Sequence, residues 1–427
     1  MPINRRQFIK RSAGAVSVSL MAPRWLGNAF GQSLSDSAPS RKVLVVIELA
    51  GGNDGLNTVI PYSDSRYAAL RPTIGFRDAD LHDSQGKSTI IDDKIGLHPS
   101  MGKLKQMYDA GRVAIVLGVG YPDPSGSHFE SADIWHAGKR DEDRKDGWLG
   151  RYVESSLAGA RGLTAAAIED KLPKTFFSTQ VVVPNIPNFD DFGIQTDPDH
   201  PDNRDNKINT LLALNSRSFP SNSFVGEQAR IGFDAVNGAL QFKSALGNYT
   251  STIQYPEDNP LADGLRKLAE IITTIPESVL LYVQMGGFDN HSDQIAGGPN
   301  KFGGQHATLL QWFSDAVDAF YRDMVEHDLA DDVVLLQWSE FGRRPNENKS
   351  VGTDHGTASC IFAIGNPVHG GIYGSQPSLA PLDLDDAENM KFAVDFRSIY
   401  STVLDRWLGG DSNRVLGKQF DNLGFIR

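Results

Sequence analysis

Several stretches of the chain are continuous runs of apolar residues rather than alternating patterns. They are rich in Val, Leu and Ile and cover residues 42–50, 112–120, 278–286 and 332–340, with a shorter run at 361–365. Runs of this kind are typical of strands in a parallel sheet that is covered on both faces. Each run therefore predicts a buried strand.

Two of the segments between these predicted strands have the residue spacing of a helix. In residues 99–111 and 304–328 the apolar side chains recur at intervals of three and four, which predicts amphipathic helices. The alternation of strands and helices favours a layered α/β fold with right-handed crossovers and a mostly parallel central sheet. Ligands of such sheets bind beyond the carboxyl ends of the strands. The loops that follow the strands are therefore the expected location of a functional site.

The N-terminal segment follows a different pattern. Arg5 and Arg6 stand before a short, mildly apolar run that ends near Met21. That run is too short to span a bilayer, and the paired arginines before it indicate an export signal of the twin-arginine type. We expect residues 1–31 to be this signal and the export machinery to be a partner. The mature protein is then periplasmic or extracellular, without a stable membrane span.

The remaining chain, residues 41–427, is expected to form a single α/β domain. The 427 residues of the full chain and their 40% content of hydrophobic residues allow a large core. Residues 182–262 are rich in Asn, Asp and Pro and predict an insertion or lid, with disorder of their first part as the alternative. The single cysteine, Cys360, excludes an intramolecular disulfide. A net charge of −12 argues against nucleic acid as a partner.

Carboxylates lie at or just after the ends of three of the predicted strands. These are Asp54, Asp289 and Glu340, and Asp354 comes a little later in the chain. A single aspartate of this kind is usually a turn residue that bonds its own backbone. Several of them at one edge of a sheet would repel one another unless cations or protons offset their charge. The recurrence favours a metal site over a set of polar turns.

Histidines accompany two of these carboxylate loops. His291 and His355 offer nitrogen ligands beside the carboxylate oxygens. A mixed set of oxygen and nitrogen ligands suits Zn²⁺, Mn²⁺ or a similar divalent ion better than Ca²⁺, which prefers oxygen alone. We therefore expect divalent ions, Zn²⁺ or Mn²⁺, as cofactors.

The loop after the second predicted strand contains a candidate nucleophile. Ser127 precedes Glu130 by three residues at the start of a predicted helix, which is the pattern of a structural capping box. A serine at a helix N-terminus beside a cation is equally well placed to attack a substrate, and Ser125 is the second candidate. His128 is a ligand, an acid or a neighbour of the cap. Arg343 either binds an anionic substrate or pairs with a carboxylate.

Ordered motifs along nearly the whole mature chain resemble a known family. Besides the paired arginines, the motifs are ELAGGNDGLNTVIPY, LHPSMGKL, SHFESADIWHAG, GWLGRY, GGFDNH, SEFGRRPNENKSVGTDHG and GGIYG. They look like the exported bacterial family of unknown function numbered fifteen-oh-one, which is related to the alkaline phosphatase and sulfatase superfamily. That resemblance implies a layered alkaline-phosphatase-like fold, a two-metal site and a nucleophile on the helix after an early strand.

The resemblance also implies roles for individual residues. Asp54 matches the first-strand metal aspartate of the superfamily, and Asp289 with His291 resembles its later pair of aspartate and histidine, although the superfamily usually spaces these two further apart. Ser127 or Ser125 falls where the nucleophile of the superfamily lies.

Two registers remain for the last metal ligands. In one, Glu340 is a ligand and His355 takes the role of the last histidine. In the other, Asp354 and His355 are ligands and His369 completes the site. The resemblance does not choose between them.

The sequence therefore predicts an exported, metal-dependent hydrolase of phosphate or sulfate esters. Its substrate is a small-molecule or polymer ester, its centre holds up to two divalent ions, and a serine or a metal-bound water attacks the ester. The alternative function is a non-catalytic exported binding or scaffold protein that retains the superfamily fold.

Overall fold

The computed structural model describes the chain from residue 41 onward, with internal gaps. The described residues are 41–83, 86–140, 144–157, 163–181, 183–189, 203–215, 223, 225–226, 229, 239–240, 242–296 and 300–427. The predicted export signal at 1–31 lies outside them, as does much of the predicted insertion at 182–262. Across the described ranges, no helix is both long enough and apolar enough to cross a membrane.

Within the described residues, twelve strands form one large sheet and two small ones. In chain order they are β1 (Val43–Leu49), β2 (Val59–Ile60), β3 (Gly96–Leu97), β4 (Val113–Gly120), β5 (Ala165–Ala167), β6 (Leu280–Met285), β7 (Val333–Trp338), β8 (Arg343–Glu347), β9 (Thr353–His355), β10 (Ser359–Ile364), β11 (Gly371–Gly374) and β12 (Val394–Asp395). The large sheet has eight strands in the order β11-β4-β10-β7-β1-β6-β5, with β12 beside β4. The strands β2 and β3 pair separately, and so do β8 and β9.

Most neighbours in the large sheet run parallel. The central strand β1 is parallel to both β6 and β7, and β4 is parallel to β11 and β12. The exception is β10, which is antiparallel to both β4 and β7. Consequently β4 runs in the same direction as β7. The carboxyl ends of β1, β4, β6 and β7 meet at one edge of the sheet, and β10 starts at that edge.

Helices cover both faces of the sheet. In the described part of the chain the helices are α1 (Gly55–Thr58), α2 (Ser65–Leu70), α3 (Gly102–Asp109), α4 (His128–Ala137), α5 (Trp148–Ser156), α6 (Arg204–Asn215), α7 (Pro260–Thr274), α8 (Gln305–Glu326), α9 (Phe396–Thr402) and α10 (Ser412–Leu416). Alternate residues of β1 face the two layers: Val45 belongs to the same core as Leu310 of α8, and Val46 to the same core as Ile134 of α4. The predicted layered α/β fold with a mostly parallel central sheet is confirmed.

A small hairpin connects the end of β7 to the start of β10. Its strands β8 and β9 pair antiparallel, with Arg343 opposite His355. Since both neighbouring strands reach the same edge of the large sheet, the hairpin lies at the edge where the carboxyl ends meet. It therefore brings three of the candidate residues, Arg343, Asp354 and His355, to the expected location of the site.

Candidate metal centre

Strand ends that are distant in sequence bring histidine and aspartate side chains together. His128 begins α4 after β4, Asp289 and His291 follow β6, and His355 ends β9. One ligand atom from each of His128, Asp289 and His355 lies within 4.8 Å of the other two. We call these three residues the triad.

The spacing within this cluster is close to that of ligands around one ion. Asp289 Oδ1 lies 3.4 Å from His128 Nε2 and 3.2 Å from His355 Nε2. His291 flanks the triad, with its Nε2 at 3.1 Å from Asp289 Oδ1 and 2.8 Å from His355 Nε2. Ligand atoms about 2.0–2.2 Å from a tetrahedral Zn²⁺ lie roughly 3–3.5 Å from one another. The three distances to Asp289 Oδ1, 3.1–3.4 Å, are compatible with a shared ion, whereas the 2.8 Å between the His291 and His355 nitrogens is shorter than this spacing.

A buried carboxylate orients the His128 ring. His128 Nδ1 lies 2.7 Å from Glu340 Oε1, and the Glu340 side chain is 3% exposed. The hydrogen bond to Glu340 raises the pKa of His128, against the opposing effect of burial. His128 Nε2 is buried and has no hydrogen-bond partner within the described part of the chain. An imidazole that donates one N–H to a carboxylate and keeps the other nitrogen free has the usual arrangement of a metal-ligating histidine.

The tautomer of His355 follows from its backbone contact. Its Nδ1 lies 2.8 Å from the carbonyl oxygen of Gly126, which can only accept a hydrogen bond, so Nδ1 carries the hydrogen. Burial lowers the pKa of His355, which favours the neutral ring. The lone pair on Nε2 then faces Asp289 Oδ1 and His291 Nε2. A proton or a cation between these atoms is needed to make the contact favourable.

A second carboxylate orients His291. Its Nδ1 lies 3.3 Å from Asp354 Oδ1, and Asn348 Nδ2 donates to the same oxygen at 3.0 Å. The Asn348 hydrogen bond, followed by that of His291, lowers the pKa of Asp354 despite some burial. Asp354 therefore contacts the far nitrogen of His291 and supports the ring from outside the triad.

Arg343 pairs with Asp289, as one of its two predicted roles required. Its buried guanidinium donates from Nη2 to Asp289 Oδ1 at 2.7 Å and to the Phe288 carbonyl at 3.0 Å, and from Nε to the Gly52 carbonyl at 2.7 Å. Burial alone would raise the pKa of Asp289, but the Arg343 hydrogen bond and the nearby His355 outweigh it and lower that pKa to about 2. Asp289 is thus ionised at neutral pH.

Glu340 occupies a supporting position behind the triad. Besides His128, its carboxylate accepts the Gly51 backbone N–H at 2.9 Å and the Ser339 hydroxyl at 3.2 Å. It therefore connects α4, the end of β1 and the end of β7. Glu340, predicted as a possible metal ligand, therefore hydrogen-bonds His128 and is not a member of the triad.

Ser127 is the N-cap residue of α4, but it does not form the alternative capping box. Its side chain makes no capping hydrogen bond. The hydroxyl of Ser125 instead donates to Glu130 Oε2 at 2.9 Å and accepts the Ser127 backbone N–H at 3.2 Å. Ser125 thus binds the Glu130 carboxylate and the Ser127 N–H, which would bond each other in a capping box. The exposed Ser127 hydroxyl does not cap the helix, and Ser127 directly precedes His128.

The structure places Asp54 outside the triad. Its side chain is buried, and Oδ2 accepts from Arg71 Nη1 at 2.6 Å and from Gln294 Nε2 at 2.6 Å. Burial raises the pKa of Asp54, but the charge and the hydrogen bond of Arg71 lower it below its usual value. The predicted first-strand ligand is therefore paired with a guanidinium.

His369 lies at the opposite end of the sheet. It is exposed, its backbone N–H bonds the Phe425 carbonyl, and the next residue bonds the carbonyl of Gly111, just before β4. The eight residues of β4 span roughly 25 Å at about 3.3 Å each, and the triad lies beyond their other end. The register that closes the site with His369 is incompatible with this separation.

Two contributors to the site were not predicted from the sequence. The Gly126 carbonyl, which sets the His355 tautomer, is a backbone group and leaves no sequence signal. Arg71 follows α2 directly and resembles any surface cation in its sequence context. Neither a motif nor a spacing rule indicates its contact with Asp54.

Solved structures align with most of the chain at low sequence identity and low TM-score. A protein in the alkaline phosphatase superfamily from Vibrio parahaemolyticus is 9% identical with a TM-score of 0.37, over 86% of this chain and 71% of that one. The C-terminal periplasmic domain of EcEptC from Escherichia coli, in complex with Zn, is 10% identical with a TM-score of 0.37, over 78% and 74%. The PsFucS1 sulfatase from Pseudoalteromonas sp. is 10% identical with a TM-score of 0.35, over 99% and 78%.

Sequence comparison finds a family model that matches part of the chain. No curated protein matches the chain. The model of a family described as "Protein of unknown function (DUF1501)" matches residues 272–419. That segment contains Asp289, His291 and the β8–β9 hairpin, whereas Asp54 and His128 precede it. The matched family is the one that the sequence motifs resemble, and the match covers residues 272–419, about a third of the chain.

Proposed function

We propose that the protein is a metal-dependent hydrolase of phosphate or sulfate esters. His128, Asp289 and His355 would hold a divalent ion, with His291 as a fourth ligand. The observation that supports this most strongly is the convergence of imidazole Nε2 atoms on an ionised carboxylate oxygen at 3.1–3.4 Å. Imidazole nitrogen with one carboxylate oxygen favours Zn²⁺, and Mn²⁺ is the second choice.

The residues around the triad suit an attack on an anionic ester. A bound divalent ion would polarise an ester oxygen and lower the pKa of a neighbouring hydroxyl or water. Ser127 is the proposed nucleophile because its hydroxyl is not used for capping and both of its chain neighbours contact the site: His128 belongs to the triad, and Gly126 accepts from His355.

Recognition of the substrate charge is assigned to α4 rather than to Arg343. The Arg343 guanidinium donates to Asp289 and to several backbone carbonyls, so its donors are already used by the protein. The first turn of α4 is not capped by Ser127. Uncapped N–H groups and the positive end of the helix dipole favour a phosphate or sulfate at this position.

The location and the organisation of the mature chain belong to the same proposal. The paired arginines at residues 5 and 6 support export by the twin-arginine route to the periplasm or beyond. Residues 41–427 would form a single catalytic domain, with 182–262 as an insertion or lid. The substrate would then be an ester available outside the cytoplasm, either a small molecule or a polymer.

A screen of esters with two matched serine variants tests the chemistry. Zn²⁺-loaded and Mn²⁺-loaded protein would be assayed on a phosphomonoester, a phosphodiester and a sulfate ester. Ser127→Ala should lower kcat/KM by at least about a thousandfold with an unchanged metal content, because it removes the nucleophile. Ser125→Ala should change kcat/KM by less than about tenfold, since that hydroxyl serves Glu130 and the backbone.

The same variants distinguish two routes of attack. Full activity of Ser127→Ala, combined with loss of activity in His128→Ala, would exclude the serine and leave water as the nucleophile. A large loss of kcat/KM in Ser125→Ala, with none in Ser127→Ala, would identify Ser125 as the nucleophile.

A non-catalytic binding protein is the second candidate. It is favoured by the open position of the site: the side chains of Asp289 and His291 are 50% and 45% exposed, whereas catalytic centres usually exclude water. Metal binding at the triad without turnover of any ester would support this function.

A further inference from the structure

Asp54 belongs to a buried polar cluster beside the triad. Its side chain is 2% exposed and that of Arg71 is 0% exposed, and the two form an ion pair of 2.6 Å. Gln294 adds a donor to the same carboxylate oxygen. A buried carboxylate requires a compensating charge, and here the guanidinium supplies it.

Arg71 is held in place from several directions. Its Nη1 also donates to Asn57 Oδ1 at 2.7 Å, its Nε to the Pro345 carbonyl at 2.8 Å and its Nη2 to the Arg344 carbonyl at 2.9 Å. An arginine with this many bonds to fixed acceptors cannot swing away to make room for another cation. The guanidinium therefore places a fixed positive charge beside Asp54.

A second divalent ion at Asp54 is therefore disfavoured by charge. It would bring two positive charges next to Arg71 in a buried environment, where repulsion is only weakly screened. Asp54 Oδ1 makes no hydrogen bond within the described residues. An additional cation would have to bind at this buried oxygen, and the metal titration described below tests whether one does.

The same cluster is connected to the hairpin that carries His355. Gln294 accepts from Thr353 Oγ1 at 2.9 Å, and Thr353 lies on β9 two residues before His355. The Thr353 carbonyl in turn accepts from Arg343 Nη1 at 2.8 Å. Together with the bonds from Arg71 to the backbone of β8, these contacts attach both strands of the hairpin to the cluster.

We propose that Arg71 takes the place of a second metal ion, so that the centre binds a single divalent ion at the triad. Asp54 is then a positioning residue that holds the β8–β9 hairpin through Arg71 and Gln294, and it is not a ligand. This inference rests on the metal centre of the proposed function and departs from the two-metal site that the sequence resemblance implies.

Metal stoichiometry tests the inference on the full mature chain. Metal-free protein would be titrated with Zn²⁺ by calorimetry, and the metal content after dialysis would be measured by elemental analysis. We expect one ion per chain in the unsubstituted protein and one in Asp54→Asn. Two ions in the unsubstituted protein that fall to one in Asp54→Asn would overturn the inference and leave the proposed function standing. No bound ion would overturn both.

A second variant guards against a failure to fold. Asp54→Asn leaves the Arg71 charge unpaired and buried, whereas the double variant Asp54→Asn/Arg71→Met removes both charges at similar volume, a change that buried pairs often tolerate. The double variant should also bind one ion. A second bound ion in the unsubstituted protein that disappears in the double variant would contradict the assignment.

If Asp54 positions the hairpin, its replacement should weaken Zn²⁺ binding at the triad. Asp54→Asn should raise the Zn²⁺ Kd at least about tenfold, as loss of an outer support commonly does. Asp323→Asn is the matched control. Asp323 is also a buried carboxylate, but it lies on α8 and accepts from Tyr249 and Tyr255, so its replacement should leave the Kd unchanged. Equal Kd values for the unsubstituted protein and Asp54→Asn would refute the positioning role.

Discussion

Replacing Glu340 by glutamine tests whether this carboxylate sets the metal affinity of the triad. Oε1 of Glu340 contacts His128 Nδ1 at 2.7 Å and the Gly51 N–H at 2.9 Å, and Oε2 accepts from Ser339. A glutamine oxygen can keep the Oε1 contacts, but the negative charge and the Oε2 acceptor are lost. The ring of His128 should stay in place with a less basic Nε2.

The expected loss of affinity is moderate. Mutation of an outer-shell partner typically weakens metal binding by about 10- to 100-fold, which corresponds to about 1.4–2.7 kcal/mol. The Zn²⁺ Kd of Glu340→Gln, measured by calorimetric titration of the metal-free protein, should rise within this range. Asp354→Asn is the control, because Asp354 supports only the flanking His291 at a longer distance of 3.3 Å, and its effect should be smaller.

The pH dependence separates this mechanism from general damage. Glu340 raises the pKa of His128, and a protonated imidazole cannot bind metal, so Zn²⁺ affinity should decline as the pH falls through that raised pKa. In Glu340→Gln the pKa of His128 returns toward its usual value, and the decline should begin at a lower pH. An unchanged Kd together with an unchanged pH profile would refute the role of Glu340.

Three further predictions concern the scaffold. Burial raises the pKa of Glu48 from 4.5 to about 8, so protonated Glu48 stabilises the fold at low pH. As the pH rises from 4.5 to about 8, the unfolding free energy should therefore fall by about 1.4 kcal/mol per pH unit relative to Glu48→Gln. Urea titrations at a series of pH values measure this slope. Asp323→Asn weakens two hydrogen bonds from Tyr249 and Tyr255, and should lower the unfolding free energy by about 2–4 kcal/mol in denaturant titrations. In Gly342→Ala the added Cβ would lie 2.1 Å from the Ala358 carbonyl oxygen. Thermal unfolding should show a loss of several kcal/mol, whereas Gly102→Ala, with nothing within 4 Å, should be nearly neutral.

The strands were predictable because the apolar pattern that marks each one lies within the strand's own residues. A strand covered on both faces must be apolar at every position, and β1, β4, β6 and β7 all coincide with continuous apolar runs. Loops that follow parallel strands meet at one edge, so the gathering of Asp289, His291 and Glu340 follows from the strand assignment alone.

The partners of each carboxylate were not predictable. The expected repulsion between the acidic groups is real, but much of its relief comes from guanidinium groups: Arg71 for Asp54 and Arg343 for Asp289. Such contacts depend on where the backbone folds, and a sequence pattern does not contain that information. The clustering of carboxylates predicts that cations offset their charge, but it does not show whether a metal ion or an arginine does so.

The direction of β10 explains the outcome for His369. An apolar run shows that a strand exists but not which way it runs. Because β10 is antiparallel to β7, the loop that follows it emerges at the end of the sheet opposite the triad. The sequence left the role of His128 open for another reason. A residue in the first turn of a helix can face either the helix cap or the site, and only the contact with Glu340 shows that His128 faces the site.

X-ray absorption of the Zn²⁺-loaded protein tests the central claim most directly. The structure predicts at least two imidazole ligands and one carboxylate oxygen at about 2.0–2.2 Å, with the imidazole scattering lost in the double variant His128→Ala/His355→Ala. A shell made only of oxygen, or an imidazole signal that persists in the double variant, would contradict the assignment of the triad as the metal centre.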